Sequence, residues 1–143
     1  MSTRSCIAAK FSDGSIKAVY CHFDGYVSGV GATLKNHFKD QQKIETLINL
    51  GSLCSLDPSI EKPEGHCWDH PVDGYTIAYH RDRGEDLVIE EIKVEENSTA
   101  ADIFNVLRKV FEYVNFWYFW DGVSWQYMRS SDIFYGDYSV KSL

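Results

Sequence analysis

The segment His80-Arg81-Asp82-Arg83-Gly84-Glu85-Asp86 holds a dense group of charged side chains that could bind a small anion. In an extended conformation Arg81 and Arg83 would project to the same side, because side chains of a strand alternate with a period of two. Two guanidinium groups on one face suit a phosphate or a carboxylate, which arginine binds through paired hydrogen bonds. The alternative is that each arginine pairs with an acid of the same segment and only stabilises a turn.

The segment Tyr20-Cys21-His22-Phe23-Asp24-Gly25-Tyr26 places a thiol beside an imidazole, as in a thiol protease. Adjacent residues of a strand point to opposite faces, so Cys21 and His22 cannot form a catalytic pair with each other. We expect Cys21 to be a small core residue and His22 to lie at the surface or to anchor a loop. His22 and Tyr26 are therefore candidates for contact with a ligand or partner.

A third group, His66-Cys67-Trp68-Asp69-His70, could chelate a metal ion, with Cys21, His22 or Cys54 completing a zinc tetrahedron. Its spacing matches none of the strong zinc patterns, which use two separated pairs of ligands. We therefore predict no metal site and no cofactor, and we interpret the segment as a polar loop with Trp68 as its hydrophobic anchor.

The acidic residues of the chain are unevenly distributed. The net charge is −7, which disfavours attraction to nucleic acids and to anionic membranes, so we expect neither as a direct partner. Between residues 85 and 96, Lys93 is the one base, and the acids there are Glu85, Asp86, Glu90, Glu91, Glu95 and Glu96. A solvated strand edge or loop would account for this run. The sharper interpretation is an acidic docking face for a basic partner.

Aromatic side chains are concentrated in residues 116–127. In a strand, Phe116, Tyr118 and Trp120 would lie on one face, with Trp117 and Phe119 on the other. Two aromatic faces indicate either a strand buried on both sides or an exposed patch that contacts a partner, a ligand or another copy of the chain.

The strands are predicted from apolar runs that flank turn signals. Asp-Gly pairs, which favour turns, lie between residues 5–11 and 16–22 and again at 121–122, so each site predicts a β-hairpin. Residues 75–80 also have strand character, and residues 87–94 are the expected partner of this strand. Three prolines fall in residues 52–74, which indicates one long loop.

Three helices are predicted, at 29–39, 41–50 and 100–114. Asp40 is a favourable N-cap for the second helix and Gly51 a favourable stop. Thr99 and Asp102 have the spacing of a capping box before the third helix. Together these elements predict an α+β fold, with an antiparallel sheet of two or more hairpins and about three helices packed on one face.

Length and composition predict a single domain, residues 1–129, followed by a loosely attached C-terminal tail, residues 130–143. No apolar run is long enough for a transmembrane helix, and the N-terminus has no secretory h-region. The four cysteines are too few for a disulfide framework, so we expect free thiols in a reducing compartment.

Sequence patterns across residues 2–86 resemble a group of small proteins of unknown function that are encoded mostly by tailed phages and prophages. The N-terminal pattern comprises 2–5, 19–26, 29–31, Leu34, 37–38, 47–48 and 50–53, and the second pattern is 78–85. Phe23 stands where the group's pattern has a tryptophan. The resemblance transfers no activity, but it implies a phage accessory protein in the host cytoplasm, a class that often acts on host machinery, including immune systems.

The leading hypothesis is a non-enzymatic binder of a host protein or of a small nucleotide ligand. It could be a counter-defence inhibitor, for example one that acts like an anti-CRISPR protein or sequesters a signal. The predicted contact residues are His22, Tyr26, His80, Arg81, Arg83, Glu85, Asp86, Glu90 and Glu91.

Two other functions fit the residues. A small enzyme acting on a nucleotide or phosphoester would use His22 or His80 as general acid and base, with Asp24 or Asp82 as the orienting carboxylate. Such an enzyme requires the two histidines to converge in one pocket. A self-associating structural protein would instead form a homo-oligomer with Trp117 or Trp120 buried between chains.

Overall fold

In the computed structural model, which describes residues 2–143, one mixed β-sheet runs through the molecule. Its strands are β1 (Ser5–Lys10), β2 (Ile16–Cys21), β3 (Leu53–Ser55), β4 (Ile77–Ala78), β5 (Glu90–Ile92), β6 (Phe116–Trp120), β7 (Trp125–Arg129) and β8 (Lys141–Ser142). The strand order is β4-β3-β2-β1-β6-β7-β8, and β5 also pairs with β2. The predicted α+β class is confirmed.

The sheet contains parallel as well as antiparallel neighbours. β1 pairs with β6 in parallel and β2 with β3 in parallel, whereas the remaining pairs are antiparallel. An entirely antiparallel sheet was expected, because turn residues reveal hairpins but give no information on pairing between distant segments. The β1–β6 pairing places β6 in the middle of the sheet, where a strand is covered on both faces.

Both predicted hairpins are present. Gly14 has a φ of 89° in the turn between β1 and β2, and Gly122 has a φ of 101° in the turn between β6 and β7. Only glycine adopts such angles without a steric cost. In the second turn Asp121 Oδ1 accepts hydrogen bonds from the backbone N–H groups of Val123 and Ser124, each at 2.8 Å. The aspartate and the glycine of each pair thus have separate roles.

The predicted hairpin of residues 75–80 and 87–94 is wrong. β4 pairs with β3, and β5 pairs with β2, so the two segments join different strands. Residues Tyr79–Arg83 form a short helix, because the Asp82 carboxylate accepts a hydrogen bond from Ala78 N at 2.8 Å and caps the start of the turn. Gly84, with a φ of 77°, ends this helix in the left-handed conformation.

The helices are α1 (Ala32–His37), α2 (Gln41–Asn49), α3 (Tyr79–Arg83), α4 (Ala100–Val110) and α5 (Ser130–Phe134), and a π-helical segment (Val27–Gly31) leads into α1. Asp40 caps α2 by accepting from Lys43 N, as predicted. Thr99 and Asp102 form the predicted capping box of α4. Within residues 2–143, no helix is both long and apolar enough to cross a membrane.

Helices cover both faces of the sheet rather than the single face expected. The core on one face contains Tyr118 and Trp120 with residues of α1 and α2, and the core on the other face contains Phe119 packed on Phe104 of α4. The cause is β6 itself, whose side chains are apolar on both sides. Of the two interpretations of the aromatic run, burial on both sides is therefore correct. Trp117 and Trp120 are buried within the chain, which contradicts their predicted burial between chains.

The C-terminal segment 130–143, expected to be a loosely attached tail, adds the two-residue strand β8 to the sheet. β8 pairs with β7, and Leu143 packs against the core beside α1. Lys141 Nζ lies 2.9 Å from the Asp137 carboxylate and 3.4 Å from that of Asp132, which holds β8 to the end of α5. The ion pairs are local, but the pairing of β8 with β7 and the packing of Leu143 join more distant positions, which local composition does not reveal.

Phe104 is a fully buried residue of the core on the α4 face, so its removal tests this core. Phe104→Ala removes a fully buried ring, so we expect a loss of about 3–5 kcal/mol in the free energy of unfolding, measured by urea denaturation. Phe134→Ala is the matched control because that ring is 81% exposed, and it should change stability by about 0.5 kcal/mol or less. Equal losses for the two variants would contradict the assigned core.

Candidate functional site

The buried carboxylate of Asp82 organises residues 76–85. Its side chain is 0% exposed and accepts hydrogen bonds from Ala78 N at 2.8 Å and from the Arg81 guanidinium at 3.0 and 3.1 Å. Burial alone would raise the pKa of this carboxyl. The hydrogen bonds from Arg81 and Ala78 outweigh burial and hold the pKa of Asp82 below its usual value. Asp82 is therefore ionised and fully occupied by groups of its own chain.

Arg81 is a structural residue and not the ligand clamp that the sequence suggested. Besides Asp82, its guanidinium donates to the carbonyl oxygens of Ile60 at 2.6 Å and Thr76 at 2.9 Å. Arg81 and Arg83 are two positions apart on a helix, so their side chains point in different directions. The predicted clamp needs both side chains on one side of an extended segment. The alternative, in which each arginine pairs with a nearby acid, is the one that the structure bears out.

Arg83 lies at the surface, with its side chain about half exposed. Its Nε lies 3.4 Å from Glu85 Oε2, and its guanidinium carbon lies 4.8 Å from the centre of the Trp68 ring. Trp68 in turn packs on Tyr79, with 5.3 Å between ring centres. An arginine held between an aromatic ring and a carboxylate is therefore already present at this surface.

The loop group 66–70, considered as a metal chelator, is instead organised around a buried histidine. His66 Nδ1 accepts a hydrogen bond from Val72 N at 3.0 Å, so the ring proton resides on Nε2, which lies 3.5 Å from Asp82 Oδ2. Within residues 2–143, no group of three or more His, Cys, Asp or Glu side chains is arranged to hold a metal ion. His66 thus anchors the loop on α3.

The two histidines proposed for acid and base catalysis are each engaged locally. His22 Nδ1 lies 2.6 Å from the Tyr20 hydroxyl, and the ring packs edge-on against Phe23. His80 Nδ1 lies 2.7 Å from the carbonyl oxygen of Glu85. Among the described residues no hydrogen bond or ring contact joins the two histidines. Instead His22 positions Tyr20, and His80 positions the chain at Glu85.

Neither Cys21 nor Cys54 is an activated nucleophile. Burial raises the pKa of Cys21 to about 12 and also raises the pKa of Cys54, for which a hydrogen bond from Tyr79 and the charge of Arg83 act in the opposite direction. A thiol that stays protonated at neutral pH is a poor nucleophile. Cys21 is a core residue, as expected, and the cysteines are free thiols, as predicted.

A cleft opens where the edge of β2 is left without a partner. β5 pairs with one end of β2, at Ile16–Ala18, and β3 pairs with the other end, at Cys21. Val19 and Tyr20 lie between these pairings. The cleft has a volume of about 220 Å³ and is lined by Tyr20, Ser52, Tyr79, Glu85, Asp86 and Val88. An adjoining recess shares Tyr20, Ser52 and Val88 and is also lined by Ala18, Val19, Glu90, Phe111 and Tyr113. We call the cleft and its recess the acidic cleft.

The walls of the acidic cleft are aromatic and its rim is anionic. Burial is the main cause that raises the pKa values of Tyr20, Tyr79 and Tyr113, so these hydroxyls stay neutral. Tyr20 and Tyr113 pack together, with 5.7 Å between ring centres. Neither Asp86 nor Glu90 forms a salt bridge with any described residue. The cleft therefore offers neutral π faces beside carboxylates that have no partner.

Apart from Arg81, which is engaged by Asp82, Ile60 and Thr76, the predicted contact residues divide into three groups at this cleft. Glu85, Asp86 and Glu90 line it, and His22, His80 and Arg83 lie beside residues that line it. Tyr26 and Glu91 lie outside the lining: the Tyr26 hydroxyl donates to Asp24 at 3.0 Å, and Glu91 lies 3.7 Å from Lys93. On β5 adjacent residues face opposite sides, which separates Glu90 from Glu91.

Another concavity, of about 680 Å³, lies between residues 93–98 and α4. Its lining includes Val94, Val106 and Asp102, but no aromatic residue, and Asp102 is already engaged in the capping box with Thr99. The rest of its lining is polar and includes exposed acids and one lysine, Lys93, and these side chains do not form a common binding site. We therefore favour the smaller acidic cleft as the functional site.

The tyrosines of the acidic cleft were not identified from the sequence. Tyr20, Tyr79 and Tyr113 come from β2, from the start of α3 and from the residues after α4, so only the folded chain brings them together. The sole local signal was the neighbourhood of Tyr79 to the charged segment 80–86. Comparison of the chain with protein-family models, with curated proteins and with solved structures gives no match.

The contrast between the two arginines gives a direct test of the site. Arg81→Ala leaves the buried Asp82 carboxylate without its partner, so we expect a loss of about 3 kcal/mol in the free energy of unfolding. Arg83→Ala removes only an exposed pair and an exposed ring contact, and should lower stability by about 1 kcal/mol or less. Chemical denaturation of both variants measures the difference, and a neutral Arg81→Ala would contradict the structural role.

Proposed function

We propose that this chain is a non-enzymatic binding protein that engages another protein through the acidic cleft. The observation that carries the proposal is the close association of exposed apolar groups and unpaired acids at one cleft. Tyr113 is 54% exposed and Val88 47% exposed, although both are large and both line the cleft. Apolar side chains clustered at the surface and rimmed by charges are typical of a protein contact surface.

The apolar surface extends beyond the cleft on two sides. Leu87, which precedes Val88, is also exposed. Its side chain lies against Gly51, so closely that a β-carbon at position 51 would be 2.8 Å from Leu87 Cδ1. On the other side Phe23 is exposed and packs on His22, which is hydrogen-bonded to Tyr20. These residues add exposed apolar surface near the cleft, and such surface favours a protein partner over a small ligand.

The chemistry of the site favours binding over catalysis. Cys54, the thiol near the cleft, stays protonated, and the Arg81 guanidinium is engaged by Asp82, Ile60 and Thr76. A nucleotide ligand is also disfavoured, because its phosphates would meet Glu85, Asp86 and Glu90. Of the two ligands anticipated from the sequence, a protein with a basic surface fits this cleft better than a nucleotide.

We further propose that the partner is a host protein, on the expectation that residues 2–86 belong to the group of small phage proteins whose sequence patterns they resemble. An accessory protein of a phage that binds a host factor in the host cytoplasm, including a component of host immunity, is the corresponding biological role. The acidic cleft would then be the inhibitory or regulatory surface.

Charge reversal at the cleft tests this function. The tagged protein, the variant Asp86→Lys/Glu90→Lys and the variant Glu61→Lys/Glu64→Lys are used to capture proteins from host lysate, with quantification by mass spectrometry. Both double variants change the net charge equally, and Glu61 and Glu64 are exposed residues outside the cleft lining. A protein captured by the wild type should be captured in similar amount by the Glu61→Lys/Glu64→Lys control. The amount captured by the cleft variant should be at least about tenfold lower.

Equal capture of the same proteins by all three forms would show that the cleft is not the contact surface. Unchanged circular dichroism and thermal unfolding of the cleft variant provide the folding control, because both of its substituted positions are exposed.

A further inference from the structure

We infer that the acidic cleft is a receptor for an arginine side chain of the partner protein. This inference rests on the proposed function and specifies the chemistry that the cleft recognises. The first step is the shape of the site. It is an open cleft of about 220 Å³ lined by Tyr20 and Tyr79, a size that suits one long side chain better than a folded surface.

The second step is the arrangement of charge. Glu85 and Asp86 line one part of the cleft, and Glu90 lines the adjoining recess on the other side of Val88. Carboxylates at separate positions are best matched by a group with several divergent donors. The guanidinium has five N–H donors in a planar fork, whereas the ammonium of lysine is a compact point charge.

The third step is the nature of the walls. The rings of Tyr20, Tyr79 and Tyr113 are neutral, so their faces attract a cation and their hydroxyls can also accept a hydrogen bond. Arginine stacks on aromatic faces and is more weakly hydrated than lysine, which lowers the cost of entering a cleft. The apolar side chain of Val88 lies where the methylene stem of the arginine would pass.

The molecule already contains this mode of binding next to the cleft. Arg83 contacts both the Trp68 ring, at 4.8 Å, and the Glu85 carboxylate, at 3.4 Å. Trp68 packs on Tyr79, the wall of the cleft. An arginine from a partner would extend this layered arrangement of cation, ring and acid into the open cleft.

The partner segment is therefore an exposed arginine flanked by apolar residues. Those flanking residues would contact Leu87 and Phe23, which are exposed on either side of the cleft. A lysine, a divalent cation or an uncharged side chain would make fewer of these contacts, and each is an outcome that the following experiment distinguishes.

The test uses three capped pentapeptides, Ala-Phe-X-Phe-Ala, in which X is arginine, lysine or citrulline. Binding to the full chain is followed by ¹H–¹⁵N NMR titration. The arginine peptide should produce saturable shifts at Tyr20, Tyr79 and Tyr113, the lysine peptide should bind about tenfold more weakly, and the neutral citrulline peptide should bind still more weakly. A parallel titration with magnesium chloride should leave the same signals unchanged.

The matched variants are Asp86→Asn/Glu90→Gln and Glu61→Gln/Glu64→Gln. The first should weaken binding of the arginine peptide at least about tenfold, and the second should leave it within about twofold. Equal binding of lysine or citrulline, shifts that map outside the cleft, or no binding of the arginine peptide would overturn the inference. If it fails while charge reversal still abolishes capture of the partner, the proposed function stands and only the arginine specificity is lost.

Discussion

The ion pair between Asp82 and Arg81 is the interaction on which the functional face of this protein depends. A carboxylate that is removed from water costs several kcal/mol, so it is tolerated only where hydrogen bonds replace the lost hydration. Asp82 meets this requirement with Ala78 N and the Arg81 guanidinium, and His66 Nε2 lies 3.5 Å away. The same guanidinium binds carbonyl oxygens of Ile60 and Thr76. One pair thus fixes the start of α3 and holds the long loop against it.

The opening at the edge of β2 is the second constraint. Because β3 and β5 pair with opposite ends of this strand, Tyr20 faces a gap instead of a neighbouring strand. The segment 84–89 lies at that gap without pairing as a strand, and Glu85 and Asp86 give it two acids. An acidic, irregular segment beside a sheet edge also opposes pairing with other strands, since charges on an edge discourage aggregation.

Local signals in the sequence account for much of the fold. The Asp-Gly turns, Asp40 as an N-cap and the capping box of Thr99 each act within a few residues, and each was predicted correctly. The errors fell where distant segments decide the structure. Residues 75–80 were expected to form a strand, yet from Tyr79 the chain forms α3, in which the Asp82 carboxylate accepts hydrogen bonds from Ala78 N and Arg81. Similarly, the attachment of residues 130–143 depends on pairing with β7.

The site shows the same division between local and distant causes. The acids were identified from their density, but the role of Arg81 and the tyrosine walls required the fold. Charged residues close in sequence can have opposite roles, as Arg81 and Arg83 do, because one side chain faces inward and the other outward.

The most direct measurement of the central claim is amide hydrogen exchange, followed by mass spectrometry, in the wild type and in Asp82→Asn. The amide keeps the shape of the carboxylate but removes its charge. In Asp82→Asn, the account predicts that backbone amides on both sides of α3, in residues 57–76 and 85–90, exchange faster than in the wild type. The amides of β1, β2 and β6 should exchange as in the wild type. A change confined to residues 78–83, or no change at all, would contradict the view that this buried pair holds the acidic cleft together.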